Sequence, residues 1–204
     1  MGNNKYFKDL GYRVTSTYDW RVLDKGKEFH PGVDLVGKPQ CEIGSFCDGE
    51  VVFAGEAIKG SGYGGFGNAV AVKDKNGCIH VYGHILKWLV KKGDKVKVGQ
   101  KLCVQGNTGR SIGTAHDGYL PGEHLHYEVR KSATYVEDRE KRCHIPDDYL
   151  IKLNGGSEVE MKAETANAII KYLSAAHKNA EKAEQDTIHK LANELRKISG
   201  QAVK

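Results

Sequence analysis

Glycine punctuation constrains this chain more than any other feature. Between Tyr12 and Val129, short β-prone runs (YRVTSTY, GEVVFAG, NAVAVKD, CIHVYGHI, KLCVQG, HLHYEVR) alternate with turn formers, and the 25 glycines among 204 residues favour turns over long helices. Few helical periods interrupt them. Closely spaced strands joined by tight turns pair antiparallel, and KDKNGC, with Asn76-Gly77 between two β-rich runs, is a hairpin signal of that kind. The expected fold is mainly β, a compact antiparallel β-sheet domain.

After RCHIPDDYLIKLNGG the pattern changes. Asn154-Gly155-Gly156 reads as a flexible joint, and Ser157-x-x-Glu160 has the spacing of a capping box at a helix start. Ala166, Ile169, Ile170 and Leu173, then Ile188, Leu191, Ala192, Leu195 and Ile198, recur at helical spacing, predicting two amphipathic helices with a break near HKNAEKAEQD. The sequence therefore divides into a β domain at 1–153, a linker at 154–157 and a small helical module at 158–204. With eight Lys/Arg against seven Asp/Glu, the tail is nearly neutral, so the overall charge of +5 belongs mainly to the β domain.

Lys87, Lys91, Lys92, Lys95, Lys97 and Lys101 bunch in KWLVKKGDKVKVGQK, which suits an anionic partner or simply a hairpin with a solvated lysine edge. No nucleic-acid-binding motif accompanies them. No segment is long and apolar enough to span a bilayer. The start MGNNKYFKDLGYR lacks an apolar core of signal-peptide type, and Tyr6 breaks the myristoylation pattern, so the product is expected to begin soluble in the cytoplasm. Cys41, Cys47, Cys78, Cys103 and Cys143 are odd in number and lack C-x-x-C spacing, which predicts reduced thiols.

The histidines carry the chemistry. In HLHYEVR, His124 and His126 project to one face of a strand while Leu125 and Tyr127 face the other. Upstream, HPGVD separates His30 from Asp34 by a spacing that holds proline and glycine, so this pair is a loop residue and a strand residue, not two positions on one helix. A catalytic zinc site takes three His or carboxylate ligands and keeps a fourth position open. His30, Asp34 and one histidine of the H-L-H strand meet that count, and the spare one is left for chemistry. In HVYGHI, His80, Tyr82 and His84 share strand parity, which adds a further candidate for moving a proton or stabilising an oxyanion.

H-x-x-x-D, Y-x-H and H-x-H in this order, within GYRVTSTYDWR, FHPGVDLVG, DGEVVFAG, GNAVAVKD, VYGHI, KKGDKVKVGQKL, GNTGRS and HLHYEVR, resemble the lysostaphin/LytM-type zinc endopeptidases that cut peptide bonds in bacterial peptidoglycan. The likeness spans most of the first 130 residues. It implies a groove floored by one Zn²⁺ held by His30, Asp34 and His126, with His84 and His124 as the catalytic pair. It also implies a peptidoglycan peptide as substrate, with anionic wall polymers as a partner for the lysine-rich stretch. A phage-type lytic enzyme (endolysin), made in the host cytoplasm and acting on the wall after release, is the expected context, with the helical tail for wall targeting or self-association. The alternative is a non-catalytic module of the same fold that binds the wall or activates another hydrolase.

Two departures from the family pattern stand out. TAHDGYLP intervenes before the H-L-H strand, bringing His116 and Asp117 near the groove, and Asp24 stands where some relatives place a tyrosine, leaving Tyr82 or Tyr18 as substitutes. GSGYGGFG reads as a mobile loop beside the site, since no helix follows it and no Lys-Ser/Thr closes a phosphate loop. His80 is expected on a strand surface, and Trp20 and Trp88 as packing anchors.

Overall fold

The computed structural model describes residues 4–23, 26–115, 117–134, 136–154, 163–177 and 182–198. Along the chain come α1 (Lys5–Asp9), β1 (Arg13–Ser16), β2 (Asp19–Leu23), β3 (Gly26–His30), β4 (Val33–Val36), β5 (Glu42–Gly44), β6 (Gly49–Glu56), β7 (Asn68–Lys73) and β8 (Ile79–Ile85). There follow β9 (Lys87–Trp88), β10 (Lys95–Val96), β11 (Lys101–Val104), β12 (Leu125–Arg130), α2 (Arg139–Arg142), β13 (Cys143–His144) and α3 (Pro146–Leu153), then α4 (Ala163–His177) and α5 (Lys182–Ile198).

The chain divides into two compact units, Met1–Asn154 and Gly155–Lys204. In the first, the main sheet runs β1-β4-β12-β8-β7-β6-β10, with β13 continuing along β12 beyond β4, and every pairing is antiparallel. A three-stranded sheet β5-β11-β9 and the ribbon β2-β3 complete it. Mainly antiparallel β is thus the architecture that the glycine-punctuated runs predict. In the second unit α4 and α5 pack on one another, burying Ala166, Ile170 and Ala192. The Gly155-Gly156 joint, the Ser157/Glu160 capping box and most of the break between the helices lie outside the described residues, as do Asp24 and His116.

Strand alternation gives the main sheet two unlike faces. On one, Leu125, Tyr127 and Val129 of β12 join Tyr82, Val70 and Val72 in the main core. Each such side chain contributes about 1.5–3 kcal/mol by leaving water. Phe7 of α1 and Leu150 of α3 close this face from above; Phe7 meets Tyr127 and Phe46 edge-on at 5.8 and 5.5 Å, and Asp147 accepts from the Tyr6 backbone at 2.9 Å. The β-run reading did not include α1, α2 or α3. All three are short, from four to eight residues, too few turns for a helical period to stand out in the sequence.

His80 is a correction. It is fully buried on this core face, accepting from the Tyr127 hydroxyl at 2.5 Å and donating to Asp74 at 3.1 Å. Asp74 also takes the backbone N–H groups of Asn76 and Cys78 in the β7–β8 turn and the Tyr149 hydroxyl at 2.5 Å. One buried carboxylate therefore ties the hairpin, β8 and α3 together. Trp20 and Trp88 are not anchors: they are 58% and 43% exposed. All five cysteines are free thiols. In the lysine-rich stretch, Lys95, Lys97 and Lys101 pair with Glu50, Asp48 and Glu42.

Candidate metal centre and its flanking histidines

The second face of the main sheet carries the site. His126 of β12 lies directly opposite Asp34 of β4 on one side and Gly83 of β8 on the other. His30 ends β3, and the chain runs on through Pro31-Gly32 into β4, which pairs with β1 as β3 pairs with β2 and sets Asp34 opposite His126. His30 is thus a strand-end residue, where the spacing predicted a loop. His30 Nε2, Asp34 Oδ1 and His126 Nδ1 form a buried triangle with edges of 3.2, 2.8 and 3.1 Å. Among the described residues this is the one group of three His, Cys, Asp or Glu side chains disposed to hold a metal ion.

The outward partners show which nitrogen each ligand ring would turn to an ion. His30 Nδ1 lies 2.8 Å from the Thr17 carbonyl, which can only accept, so Nδ1 holds the proton and Nε2 is the ligand atom. His126 Nε2 lies 3.3 Å from Glu128 Oε1, leaving Nδ1 to face the triangle. A tetrahedral ion with bonds of about 2.0–2.1 Å sets ligand–ligand edges near ~3.3 Å, so the triangle and its two-imidazole, one-carboxylate chemistry fit zinc. The same donors also accept other divalent ions. Arg21 of β2 sits 3.6 Å from the other Asp34 oxygen, a neighbour that no spacing in the sequence announced.

His84 reaches this face by breaking the alternation. Strict parity with His80 and Tyr82 would point it into the core. Between Asn68↔Ile85 and Val70↔Tyr82 the register slips, so Gly83 and His84 together face Ala69. His84 adopts φ +60°, a left-handed conformation that costs about 1–3 kcal/mol away from glycine. Its backbone N–H donates to Phe66 O and its carbonyl accepts from Thr108, which hold the bulge in place.

His84 and His124 stand side by side with ring centroids 4.9 Å apart. His84 Nδ1 donates to the Thr108 carbonyl at 2.7 Å and His124 Nδ1 to the Gly122 carbonyl at 2.7 Å, so in both neutral rings Nε2 carries the lone pair. His124 Nε2 lies 3.7 Å from Asp34 Oδ1, beside the triangle and farther from it than His126. Tyr82 is remote from this chemistry: fully buried, it accepts from the Phe46 backbone at 2.7 Å, while Tyr18 donates to the Glu140 and Cys143 carbonyls.

The electrostatics follow the packing. Burial alone would raise the Asp34 carboxyl, but hydrogen bonds from His126 and His30 outweigh it and hold it well below the usual carboxylate range. Burial likewise opposes the His126 imidazolium, yet Asp34 and Glu128 push it up to about 9. Burial dominates at His84, aided by the charges of His126 and His124, and brings it down to about 4. His124 is also lowered by burial. Both shifts favour the neutral ring, so each histidine of the flanking pair presents an unprotonated Nε2.

The loops are tied down. Phe66 of the glycine-rich loop stacks on His126 with centroids 5.1 Å apart, and Arg130 donates to Gly62 O at 2.7 Å, so this loop is pinned over the site. In the inserted loop, Tyr119 donates to Gly37 O at 2.9 Å, and buried Glu123 accepts from Leu120, Gln40 and Gln105.

The profile of peptidase family M23 matches residues 28–138. Peptidoglycan DD-endopeptidase ShyA of Vibrio cholerae is 35% identical over 131 residues, 61% of this chain and 26% of that protein. Murein hydrolase activator NlpD of Escherichia coli is 32% identical over 120 residues, 54% of this chain and 28% of that one. A crystal structure of a catalytic-domain variant of the prophage-encoded M23 protein EnpA from Enterococcus faecalis superposes with a TM-score of 0.51 at 28% identity, covering 68% of this chain and 91% of that one. The chain spans roughly a quarter of the length of the curated relatives it matches.

Proposed function

The chain belongs to peptidase family M23, a family of zinc metallopeptidases, and on that premise we propose that it is a zinc-dependent endopeptidase that hydrolyses peptide bonds of bacterial peptidoglycan. One observation carries the reading: a buried triangle of two imidazole nitrogens and a carboxylate oxygen, with two neutral histidines beside it. His30, Asp34 and His126 would hold the ion. Zinc bound there supplies Lewis acidity, lowering the pKa of a water and polarising the scissile carbonyl.

The remaining work belongs to the protein's own groups. His84 and His124, each locked through Nδ1 to a backbone carbonyl, offer Nε2 to take a proton from the attacking water and return it to the leaving amine. Once protonated, the same rings donate a hydrogen bond to the oxyanion that develops on the substrate carbonyl. Phe66, stacked on His126, covers one face of that ligand ring.

The name of the NlpD relatives favours a second reading, a module that activates another hydrolase. The complete set of three ligand residues and both flanking histidines favour catalysis. The prophage-encoded relative supports a phage lytic enzyme, made in the host cytoplasm and reaching the wall on release, with Lys87, Lys91 and Lys92 as contacts for anionic wall polymers.

The deciding experiment is mass spectrometry of fragments released from purified Gram-positive and Gram-negative-type peptidoglycan, with His126→Ala as control. New peptide termini from the wild type alone establish the endopeptidase and identify the bond. Sedimentation with the wall and no release would leave the activator reading standing.

A further inference from the structure

His126 touches two carboxylates, and only one of them faces the ligand triangle. The other, Glu128, lies two residues along β12 on the same face, 1% exposed, with Oε1 3.3 Å from His126 Nε2. A carboxylate so buried is costly unless it is paired. Here Arg130 Nε donates to Oε2 at 2.7 Å, and Arg142 Nη2 lies 3.6 Å from Oε1.

The contacts close a ring. The Arg130 guanidinium lies over Tyr63 and Phe66 at 5.1 and 5.7 Å from their centroids, and Phe66 stacks back on His126. Room for Phe66 comes from Gly83, where a Cβ would sit 3.0 Å from its ring. Arg142 comes from α2, beyond the matched segment 28–138. Arg139 of the same helix pairs with Glu28 of β3, the strand that ends in His30.

We propose that Glu128 is a positioning residue of the metal centre: held by Arg130 and Arg142, its carboxylate accepts a hydrogen bond from His126 Nε2–H and so presents Nδ1 to the ion. Helix α2 then belongs to the working site although it lies outside the matched family segment. A neutral imidazole carries one N–H, and the partner of that N–H decides which nitrogen faces the metal. With Glu128 neutralised, either nitrogen can carry the proton and the ring loses its anchor.

The inference rests on the metal reading above, and one set of measurements separates the two. Zinc affinity is measured by chelator competition, and the His126 side-chain Nε2 proton by NMR of the zinc-loaded full chain. In the wild type that proton should be slow to exchange. Glu128→Gln should weaken zinc binding about 10–100-fold and open the Nε2 proton to exchange, and Arg142→Met should move both in the same direction by less. A folded Glu128→Gln with wild-type affinity and a protected Nε2 proton overturns the inference. Should it fail to fold because two arginines are left buried, Glu128→Gln/Arg142→Met removes one of them and is judged by the same criteria. A wild type that takes up no zinc overturns the metal reading itself.

Discussion

At the scale of single residues, position separates ligands from chemistry, because His30 commits Nδ1 to a backbone carbonyl just as His84 and His124 do. His126 lies within the triangle, so His126→Ala should lose both metal and hydrolysis. His84 and His124 stand beside it, and replacing either with alanine should retain zinc while activity falls about 10²- to 10⁴-fold, the usual worth of a positioned acid–base group. Metal analysis alongside a peptide-release assay checks both. Zinc loss at His124 equal to that at His126 would show that the ligand assignment within H-L-H is wrong. Asp74 makes a second, independent case. Burial would raise its carboxyl, but hydrogen bonds from His80 and Tyr149 bring it down to about 2, below its unfolded value of about 3.9. The contribution is therefore fully present above about pH 4 and fades as pH falls through about 2. Asp74→Asn should cost about 1.5–3 kcal/mol at pH 7, lowering Tm by roughly 3–12 °C, with the gap to wild type closing towards pH 2. A gap independent of pH would mean that the ionised carboxylate is not what holds this turn.

Elements turn those residues into a site through their register. β12 sets His126 opposite Asp34, and the bulge in β8 swings His84 out of the core to join His124. Gly106 bridges His124, accepting its backbone N–H at 3.0 Å, and a Cβ there would overlap the backbone of Ile85 and Leu86. Gly106→Ala must push β8 and the His124 segment apart. Activity should fall at least tenfold with zinc content unchanged, because the triangle is built on β3, β4 and β12. Loss of zinc in this variant would show that the bridge also supports the ligands. Legibility in the sequence follows the same line. Alternation along HLHYEVR put His124, just before β12, and His126 on one face and was readable from the residues alone. The alternation rule applied to HVYGHI placed His84 with His80 and Tyr82, because a bulge that depends on a hydrogen bond to the Phe66 carbonyl and one from the Thr108 N–H leaves no local periodicity to read.

For the molecule as a whole, the unit Met1–Asn154 carries every residue of the candidate site. Asn154 ends it, donating to Phe46 O at 2.7 Å and to the Tyr6 hydroxyl at 2.8 Å, which ties the end of α3 to the start of the chain. Truncation after Gly156 should therefore leave a folded zinc hydrolase with unchanged activity on a soluble peptide and weaker sedimentation with cell walls. An insoluble product would show that α4 and α5 complete the core. The sequence by itself determined the antiparallel β class and the two helices of the tail, because these depend on local periodicity and turn chemistry; motif order singled out His30, Asp34, His84, His124 and His126 as candidates, and their division into ligands and a catalytic pair came only from the family resemblance. Only the tertiary structure decided which atoms meet. His126 Nδ1 finds Asp34 across 92 residues, His84 leaves its expected face, and Glu128, Arg130, Arg142 and Phe66 gather around one ligand. Strand register and a bulge set those encounters, and both are fixed by contacts between segments far apart in the chain.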